Sequence, residues 1–169
     1  MRTTLAIFAV GAVASASAFA PGATLPGTLT ARKASAVGPV MADPVNCGIN
    51  GFGRIGRLVA RIMVKDPETK LLHVNAGSAT PDYMAYQFKY DSIHGRFDGS
   101  VVVDGDDLVL DGQRIITTRA REPKDIGWDK TGVEYLCEST GVFLTEEKAK
   151  AHVDGGVKKV IFSATAKDD

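Results

Sequence analysis

Three glycines with the spacing Gly51-x-Gly53-x-x-Gly56 lie in the stretch INGFGRIGRL. In such a loop the first glycine permits a tight turn, the second lets a phosphate approach the backbone, and the third lets a helix pack closely on a strand. The backbone N–H groups of Arg54 and Ile55 would then face the phosphates at the positive end of a helix dipole. These residues predict a binding site for the pyrophosphate of a dinucleotide, and a glycine turn of purely structural use is the alternative.

A second position bears on which dinucleotide is bound. In loops of this kind an acidic residue about 20 positions further on binds the ribose hydroxyls of NAD. Here that position is Ala76, and residues 75–80 contain no carboxylate. A carboxylate would repel the additional phosphate of NADP, so its absence favours NADP, and the hydroxyl of Ser78 could donate a hydrogen bond to that phosphate. The predicted cofactor is therefore NADP or NAD.

The glycine loop requires a strand before it and a helix after it. An apolar run at Val45–Asn50 predicts the strand, and apolar residues at helical spacing predict a helix over Arg54–Lys65. The predicted apolar face of this helix consists of Ile55, Leu58, Val59, Ile62 and Met63. A second strand is predicted over residues 71–75, so the loop has the context that the motif needs.

Strand and helix signals continue along the chain. The remaining predictions are a helix at residues 82–90, a meander of short strands at 100–103, 108–110 and 114–118, a strand at 133–138, a helix from an N-cap at Thr145 to about residue 153, and a strand at 157–163. This order is typical of an α/β fold with a doubly wound parallel sheet. We predict a Rossmann NAD(P)-binding domain with a small antiparallel meander over residues 43–169. About five core strands are visible where the complete fold has six, so we expect the domain to be incomplete at its C-terminal end.

Composition and charge disfavour several other classes of function. The 169 residues include 20 basic and 20 acidic side chains, and 44% of them are hydrophobic, as in ordinary globular domains. Because there is no basic excess, we expect neither a nucleic-acid partner nor, once a leader is removed, a membrane partner. Cys47 and Cys137 stand in no Cys-x-x-Cys or Cys/His cluster, so no metal site is predicted. Both are expected to be buried free thiols in strands.

Residues 1–42 are predicted to be a targeting presequence. An apolar stretch precedes a small-residue cleavage pattern, Ala16-Ser17-Ala18, which predicts a signal peptide over residues 1–18. Residues 19–42 are rich in small and hydroxylated residues and contain no Asp or Glu, which is typical of a transit peptide; an untargeted linker is the alternative. The two segments resemble the bipartite plastid presequence of algae with complex plastids, in which Phe19 would follow the signal-peptide cut. This resemblance implies delivery to the plastid stroma.

Four motifs carry a resemblance to one family. They are NGFGRIGR at residues 50–57, YDSIHGRF at 90–97, ESTGVF at 138–143 and KKVIFSA at 158–164. Through them the chain resembles phosphorylating glyceraldehyde-3-phosphate dehydrogenase, and the likeness covers the cofactor-binding half of that enzyme. The resemblance implies NAD(P)-dependent oxidation of glyceraldehyde 3-phosphate with inorganic phosphate, as in glycolysis, or the reverse reaction of photosynthetic carbon reduction. It also implies a homotetramer for the complete protein.

The resemblance further implies roles for individual positions. Those positions are Arg54 and Ile55 for the pyrophosphate, Arg121 for the adenosine end, and Thr140, Gly141 and Ser163 beside the cofactor. In an NADP-dependent member, the Arg121 guanidinium is a candidate partner for the added phosphate. The chain departs from the family pattern twice: Asn75-Ala76 replaces Asn-Asp, and Ser163-Ala164-Thr165 replaces Ser-Ala-Pro. Nothing in the sequence explains the second change.

The same resemblance implies that the chemistry is performed outside this chain. The family's thiolate nucleophile lies in a Ser-Cys-Thr-Thr-Asn motif, which does not occur in the 169 residues. Its histidine base and its two anion sites belong to the same half of the enzyme, so we assign no catalytic residue here. His73, His94 and His152 are predicted to be a strand, a turn and a helix-end residue. The alternatives are a non-catalytic dinucleotide-binding module, which would leave an exposed sheet edge, and an unrelated Rossmann dehydrogenase, which the four motifs disfavour.

Overall fold

A computed structural model describes residues 43–167 of the chain, so the presequence predictions for residues 1–42 lie outside the described residues. The strands are β1 (Val45–Asn50), β2 (Thr69–Asn75), β3 (Tyr90–Asp91), β4 (Gly95–Arg96), β5 (Val101–Asp104), β6 (Asp107–Leu110), β7 (Gln113–Thr118), β8 (Tyr135–Glu138) and β9 (Lys159–Phe162). The helices are α1 (Arg54–Lys65), α2 (Pro81–Lys89), α3 (Trp128–Thr131) and α4 (Glu146–Asp154). A short 3₁₀ turn, Pro123–Asp125, precedes α3.

Seven of these strands form one sheet with the order β5-β6-β7-β2-β1-β8-β9. Strands β7, β2, β1, β8 and β9 run parallel, whereas β5, β6 and β7 are joined in antiparallel pairs. The chain leaves β1 toward β2 on one side and later returns to place β8 on the other side. The predicted doubly wound α/β fold with a small antiparallel meander is therefore confirmed.

The predicted elements agree with the observed ones to within about two residues at each end. The second helix begins at Pro81 because Thr80 caps it, with the Thr80 hydroxyl accepting a hydrogen bond from the N–H of Tyr83, and proline suits the first helical position. The predicted cap of α4 is likewise observed, since the hydroxyl of Thr145 accepts from the N–H of Lys148. Local capping chemistry thus sets both helix starts.

The side of α1 that packs on the core agrees in part with the predicted apolar face, since Val59 and Met63 of that face pack against buried core residues. Its fully buried residues are Gly56 and Ala60, whereas Ile55 and Ile62 of the predicted face are 48% and 67% exposed. A Cβ atom at Gly56 would lie 2.0 Å from the carbonyl oxygen of Gly51, so only a glycine permits this approach. The apolar pattern therefore identified the helix and part of its packed side, and the glycine in it allows the closest approach to the sheet.

Buried side chains form two clusters on opposite faces of the sheet. Leu136 and Cys137 are successive residues of β8 and belong to different clusters, as expected for side chains that alternate along a strand. The larger cluster includes Met84 and Phe88 of α2. The smaller one surrounds Trp128 of α3, which is completely buried. Within residues 43–167, no helix is long and apolar enough to cross a membrane.

The YDSIHGRF motif forms the turn between β3 and β4. The carboxylate of Asp91 accepts hydrogen bonds from the N–H groups of His94 and Ile93, at 2.8 and 2.9 Å. These two bonds, the one from His94 first, hold the pKa of Asp91 well below its usual range. A guanidinium nitrogen of Arg61 donates to the carbonyl of Gly95 and ties the turn to α1. His94 is therefore a turn residue, as predicted.

Candidate functional site

A cleft of about 480 Å³ opens at the carboxyl ends of β1, β2 and β8. Strand order reverses at β1, and open α/β sheets bind their ligands at this kind of position. Five of the predicted site residues line the cleft: Gly51, Gly53, Ala76, Arg121 and Thr140. Several other lining residues were not predicted from the sequence, among them Asn50, Arg57, Asn75, Gln87 and Phe143.

The glycine loop is shaped to receive a phosphate group. Gly51 has φ +94°, and a Cβ atom there would lie 2.7 Å from the backbone nitrogen of Thr140. At Gly53, by contrast, an added Cβ would meet no atom within 4 Å, so the space beside this residue is open. Helix α1 starts at Arg54 with no side-chain cap and no acidic residue in its first turn. Open space beside uncapped N–H groups at the positive end of a helix fits a dinucleotide pyrophosphate.

The predicted contacts of the first turn of α1 with the cofactor would be made by backbone N–H groups, and they stay predictions. Arg54, Ile55 and Gly56 are the first three residues of α1, and none of the three is among the residues that line the cleft. Arg57 holds the loop in place, because one guanidinium nitrogen donates to the carbonyl of Phe52 at 2.9 Å and to Oε1 of Gln87 at 3.3 Å. The arginine that ends NGFGRIGR is thus a positioning residue.

The end of β2 forms one side of the cleft. Asn75 is buried, its Nδ2 donates to the carbonyl of Ala120, and its Oδ1 accepts from the N–H of Ala120, each at 2.9 Å. This pairing fixes the segment that follows β7 and brings Arg121 to the same cleft as Ala76. Ser78 is exposed in the loop after β2 and is not among the lining residues.

The end of β8 forms the opposite side of the cleft. The Glu138 carboxylate is completely buried, and its Oε1 accepts from the N–H of Thr140 at 2.8 Å and also from the Thr140 hydroxyl. Its Oε2 accepts from Nδ2 of Asn50 at 2.6 Å. Burial acts to raise the pKa of Glu138, but hydrogen bonds from His152, Thr140 and Asn50 outweigh it and lower the pKa. The carboxylate is ionised and fixes the loop that carries Thr140.

Two predicted residues lie near this side without lining the cleft. Gly141 follows Thr140 and has φ +74°, which favours glycine. Ser163 follows β9, and its N–H donates to the carbonyl of Glu138 at 3.0 Å. Their contacts with a cofactor stay predictions. Within residues 43–167, no group of three or more His, Cys, Asp or Glu side chains is arranged to hold a metal ion.

Both cysteines are buried free thiols in strands, as predicted. Burial raises the pKa of the Cys47 thiol, so less of the reactive thiolate is present at neutral pH. We expect alkylation of Cys47 and Cys137 to be negligible in the folded chain at pH 7 and complete in denaturant, as measured by mass spectrometry after timed exposure to iodoacetamide. Rapid modification of either thiol in the folded chain would contradict the burial of these residues.

The glycine loop, the uncapped helix and the cleft at the strand-order reversal define a dinucleotide-binding domain of the Rossmann class. The family model "Glyceraldehyde 3-phosphate dehydrogenase, NAD binding domain" matches residues 45–146. The chain belongs to this family, and its cofactor is NAD or NADP.

The relatives agree with this assignment. The chloroplastic glyceraldehyde-3-phosphate dehydrogenase of Guillardia theta is 73% identical over 169 residues, which cover 97% of this chain and 44% of the relative. Glyceraldehyde-3-phosphate dehydrogenase 2 of Trichoderma koningii is 54% identical over 125 residues, covering 74% of this chain and 37% of the relative. Glyceraldehyde-3-phosphate dehydrogenase of Debaryomyces hansenii is 52% identical over 124 residues, which cover 73% of this chain and 37% of the relative. The chain thus spans less than half the length of these relatives.

Proposed function

We propose that the chain supplies the cofactor-binding part of an NAD(P)-dependent, phosphorylating glyceraldehyde-3-phosphate dehydrogenase. The observation that carries the proposal is the geometry of the cleft. Gly53 leaves open space beside the uncapped N-terminus of α1, and the chain belongs to this dehydrogenase family. When bound, the dinucleotide supplies the hydride acceptor for aldehyde oxidation, or the donor in the reverse direction. Family membership favours this function over a non-catalytic dinucleotide-binding module.

The residues of this chain bind and orient the cofactor. Backbone N–H groups of Arg54 and Ile55 hold the pyrophosphate, Ala76 and Arg121 lie at the adenosine ribose, and Thr140 lies toward the nicotinamide. We assign no catalytic role to Cys47 or Cys137, since both are buried away from the cleft. The binding of glyceraldehyde 3-phosphate and inorganic phosphate, and the reacting thiolate, are assigned to the remainder of a longer, homotetrameric protein. The support is that the chain covers only 44% and 37% of two of its relatives.

A plastid location is part of the same proposal. Its support is the similarity to a relative named chloroplastic, which extends over 97% of this chain. A signal peptide over residues 1–18 and a transit peptide over residues 19–42 would deliver the protein to the stroma. Fluorescent fusions with residues 1–42 should accumulate in plastids of an alga with complex plastids, and fusions with residues 19–42 alone should not.

Titration calorimetry of the chain with NAD⁺ and with NADP⁺ tests dinucleotide binding directly. We expect saturable binding of at least one of the two cofactors. Gly53→Ala is the matched variant, because its added Cβ enters the open space beside the helix start and would meet no atom within 4 Å in the unliganded protein. Binding by neither cofactor, or unchanged binding by the variant, would contradict the proposed site.

Ala76→Asp should reverse the preference between the two cofactors. The new carboxylate would repel the added phosphate of NADP and accept hydrogen bonds from the ribose hydroxyls of NAD. We expect NADP⁺ affinity to fall on the order of tenfold or more while NAD⁺ affinity is kept or increased. The control is Ala76→Asn, which has a similar size without the charge and should shift the preference far less. An unchanged ratio of the two affinities in Ala76→Asp would refute the role of this position.

A further inference from the structure

The segment that follows β7 is joined to β2 by one side chain. The backbone pairing of the two strands ends where Asn75 lies opposite Thr118, and one more backbone bond joins the N–H of Ala76 to the carbonyl of Thr118 at 2.9 Å. Beyond this point the Asn75 side chain donates to the carbonyl of Ala120 and accepts from its N–H. We call these two bonds the Asn75 clasp. It continues the pairing of β2 with the chain after strand β7 has ended.

The orientation of the Asn75 amide is fixed by its remaining partners. Nδ2 also donates to Oδ1 of Asn50 at 2.7 Å, and Oδ1 also accepts from the Thr118 hydroxyl at 3.0 Å. An amide side chain has two donor hydrogens and one oxygen with two lone pairs, so its full hydrogen-bonding capacity is used. Because Asn75 is 3% exposed, water does not compete for these bonds. A rotated amide would place oxygen against the oxygens of Asn50 and Ala120, so the clasp has a single arrangement.

The clasp brings an unpaired arginine to the cleft. Arg121 directly follows Ala120, is exposed and lines the cleft. Within residues 43–167 it forms no ion pair, whereas Arg114 and Arg119 of the same part of the chain are paired with aspartates. No carboxylate is present among the lining residues. The Arg121 guanidinium is therefore available for an anionic group of a ligand.

The position of Ala76 indicates which group of the cofactor lies beside Arg121. In domains of this class an acidic residue after the second strand binds the ribose 2′-hydroxyl of NAD, and an arginine nearby accommodates the 2′-phosphate of NADP. Ala76 occupies the first of these positions and has no carboxylate. Its bond to Thr118 and the clasp on Ala120 hold Ala76 and Arg121 on the same side of the cleft. The 2′-phosphate is thus the group that Arg121 can contact.

We propose that Asn75 is a positioning residue for cofactor preference, which favours NADP over NAD by holding Arg121 where the 2′-phosphate binds. The proposal rests on the proposed function, dinucleotide binding in this cleft. A guanidinium makes two parallel hydrogen bonds to a phosphate only in a defined geometry. Without the clasp, the backbone of residues 119–121 would have no hydrogen bond to β2, and that geometry would be lost. Binding of NADP should suffer more than binding of NAD, which has no phosphate at this position.

Dissociation constants of NADP⁺ and NAD⁺ for the 169-residue chain and its variants test the proposal. Asn75→Ala removes the clasp, and we expect the affinity for NADP⁺ relative to NAD⁺ to fall on the order of tenfold. Arg121→Met should lower this ratio at least as far. In the Arg121→Met background, Asn75→Ala should leave the ratio unchanged, because the clasp acts through Arg121. A merely structural role of Asn75 would change both affinities and leave their ratio as in the parent.

Thr118→Val is the matched control. It removes the hydroxyl that donates to Oδ1 of Asn75 and leaves both bonds of the clasp, so the ratio should stay near that of the parent. Asn75→Ser takes the place of Asn75→Ala if the latter does not fold, since its hydroxyl suits the polar surroundings but cannot contact both backbone groups of Ala120. An unchanged ratio in a folded Asn75 variant would overturn the proposal. So would an equal fall in the presence and absence of Arg121.

Hydrogen exchange of the parent needs no variant to fold. The N–H of Ala120 should exchange much more slowly than those of Arg119 and Arg121, although all three lie beyond the end of β7. Exchange of Ala120 as fast as in an unfolded peptide would overturn the proposal. A parent chain that binds neither cofactor would contradict the proposed function itself. A parent that binds both, with the same ratio in Arg121→Met, would contradict this inference alone.

Discussion

Gly56→Ala should destabilise the protein by about 3 kcal/mol, although alanine is the better helix former. In an exposed helix this change stabilises by up to about 1 kcal/mol, because glycine loses more backbone entropy on folding. Here the added Cβ would lie 2.0 Å from the carbonyl oxygen of Gly51, where no flexible side chain can give way. Helix α1 must move away from β1, and displacements of this kind typically cost 1–3 kcal/mol or more. Urea unfolding followed by circular dichroism measures the loss as a lower midpoint.

Gly53→Ala is the matched control in the same loop. Gly53 has φ −72°, and an added Cβ would meet no atom within 4 Å, so the unfolding midpoint should stay close to that of the parent. Dinucleotide affinity should nevertheless fall, because the methyl group enters the space in which we place the phosphate. Equal unfolding midpoints for Gly56→Ala and Gly53→Ala would show that the close approach of α1 to β1 is not needed for stability.

Acidification from pH 6.5 to pH 4 should cost about 3 kcal/mol of stability through His73 alone. This histidine is 1% exposed and contacts the hydroxyls of Thr118 and Thr131. Burial is the main cause that lowers its pKa from 6.5 to about 4. Between these two values the unfolded chain binds a proton at this site and the folded chain does not. The stabilising contribution of neutral His73 is thus fully present above pH 6.5 and is lost as the pH falls toward 4.

His73→Gln separates this effect from other titrations. Glutamine keeps a polar group near the two hydroxyls but does not titrate in this range, so the variant should show a much shallower slope of unfolding free energy between pH 6.5 and pH 4. The lowered pKa values of Asp91, Asp111 and Glu138 contribute little to this slope above pH 4.5, since such a carboxylate loses its stabilising effect only as the pH falls below its unfolded pKa. Parallel slopes for the parent and His73→Gln would exclude His73 as the source.

The sequence was sufficient for the order of the elements and for the centre of the site. Apolar periodicity and the caps at helix starts are local signals, and they predicted the α/β fold. The glycine spacing predicted Gly51 and Gly53, and the resemblance to the family implied Thr140. The closest contact of α1 with the sheet could not be predicted in this way, because it depends on the distance between Gly56 and the Gly51 carbonyl in the folded chain.

Polar residues that act through buried contacts were missed for the same reason. Asn75 and Ala120 are 45 positions apart, and their pairing is created by the parallel alignment of β2 with β7. Glu138 and His152 were noted only as part of a motif and as a helix-end residue, since no local pattern shows that a tryptophan and an asparagine converge on them. Ser78, by contrast, was predicted to bind the cofactor because its hydroxyl can donate a hydrogen bond to a phosphate. It lies in an exposed loop and is not among the residues that line the cleft.

The pairing of Asn75 with Ala120 and the bonds of Thr140 to Glu138 have a kinetic consequence. Both sides of the cleft are joined to the sheet by hydrogen bonds that exist without a ligand, so the cleft is preformed. These loops lose their conformational entropy when the protein folds, so cofactor binding does not have to order them again. Cofactor capture by this part of the protein should accordingly be a single concentration-dependent step, with an observed rate that rises linearly with ligand and shows no plateau from a preceding conformational change.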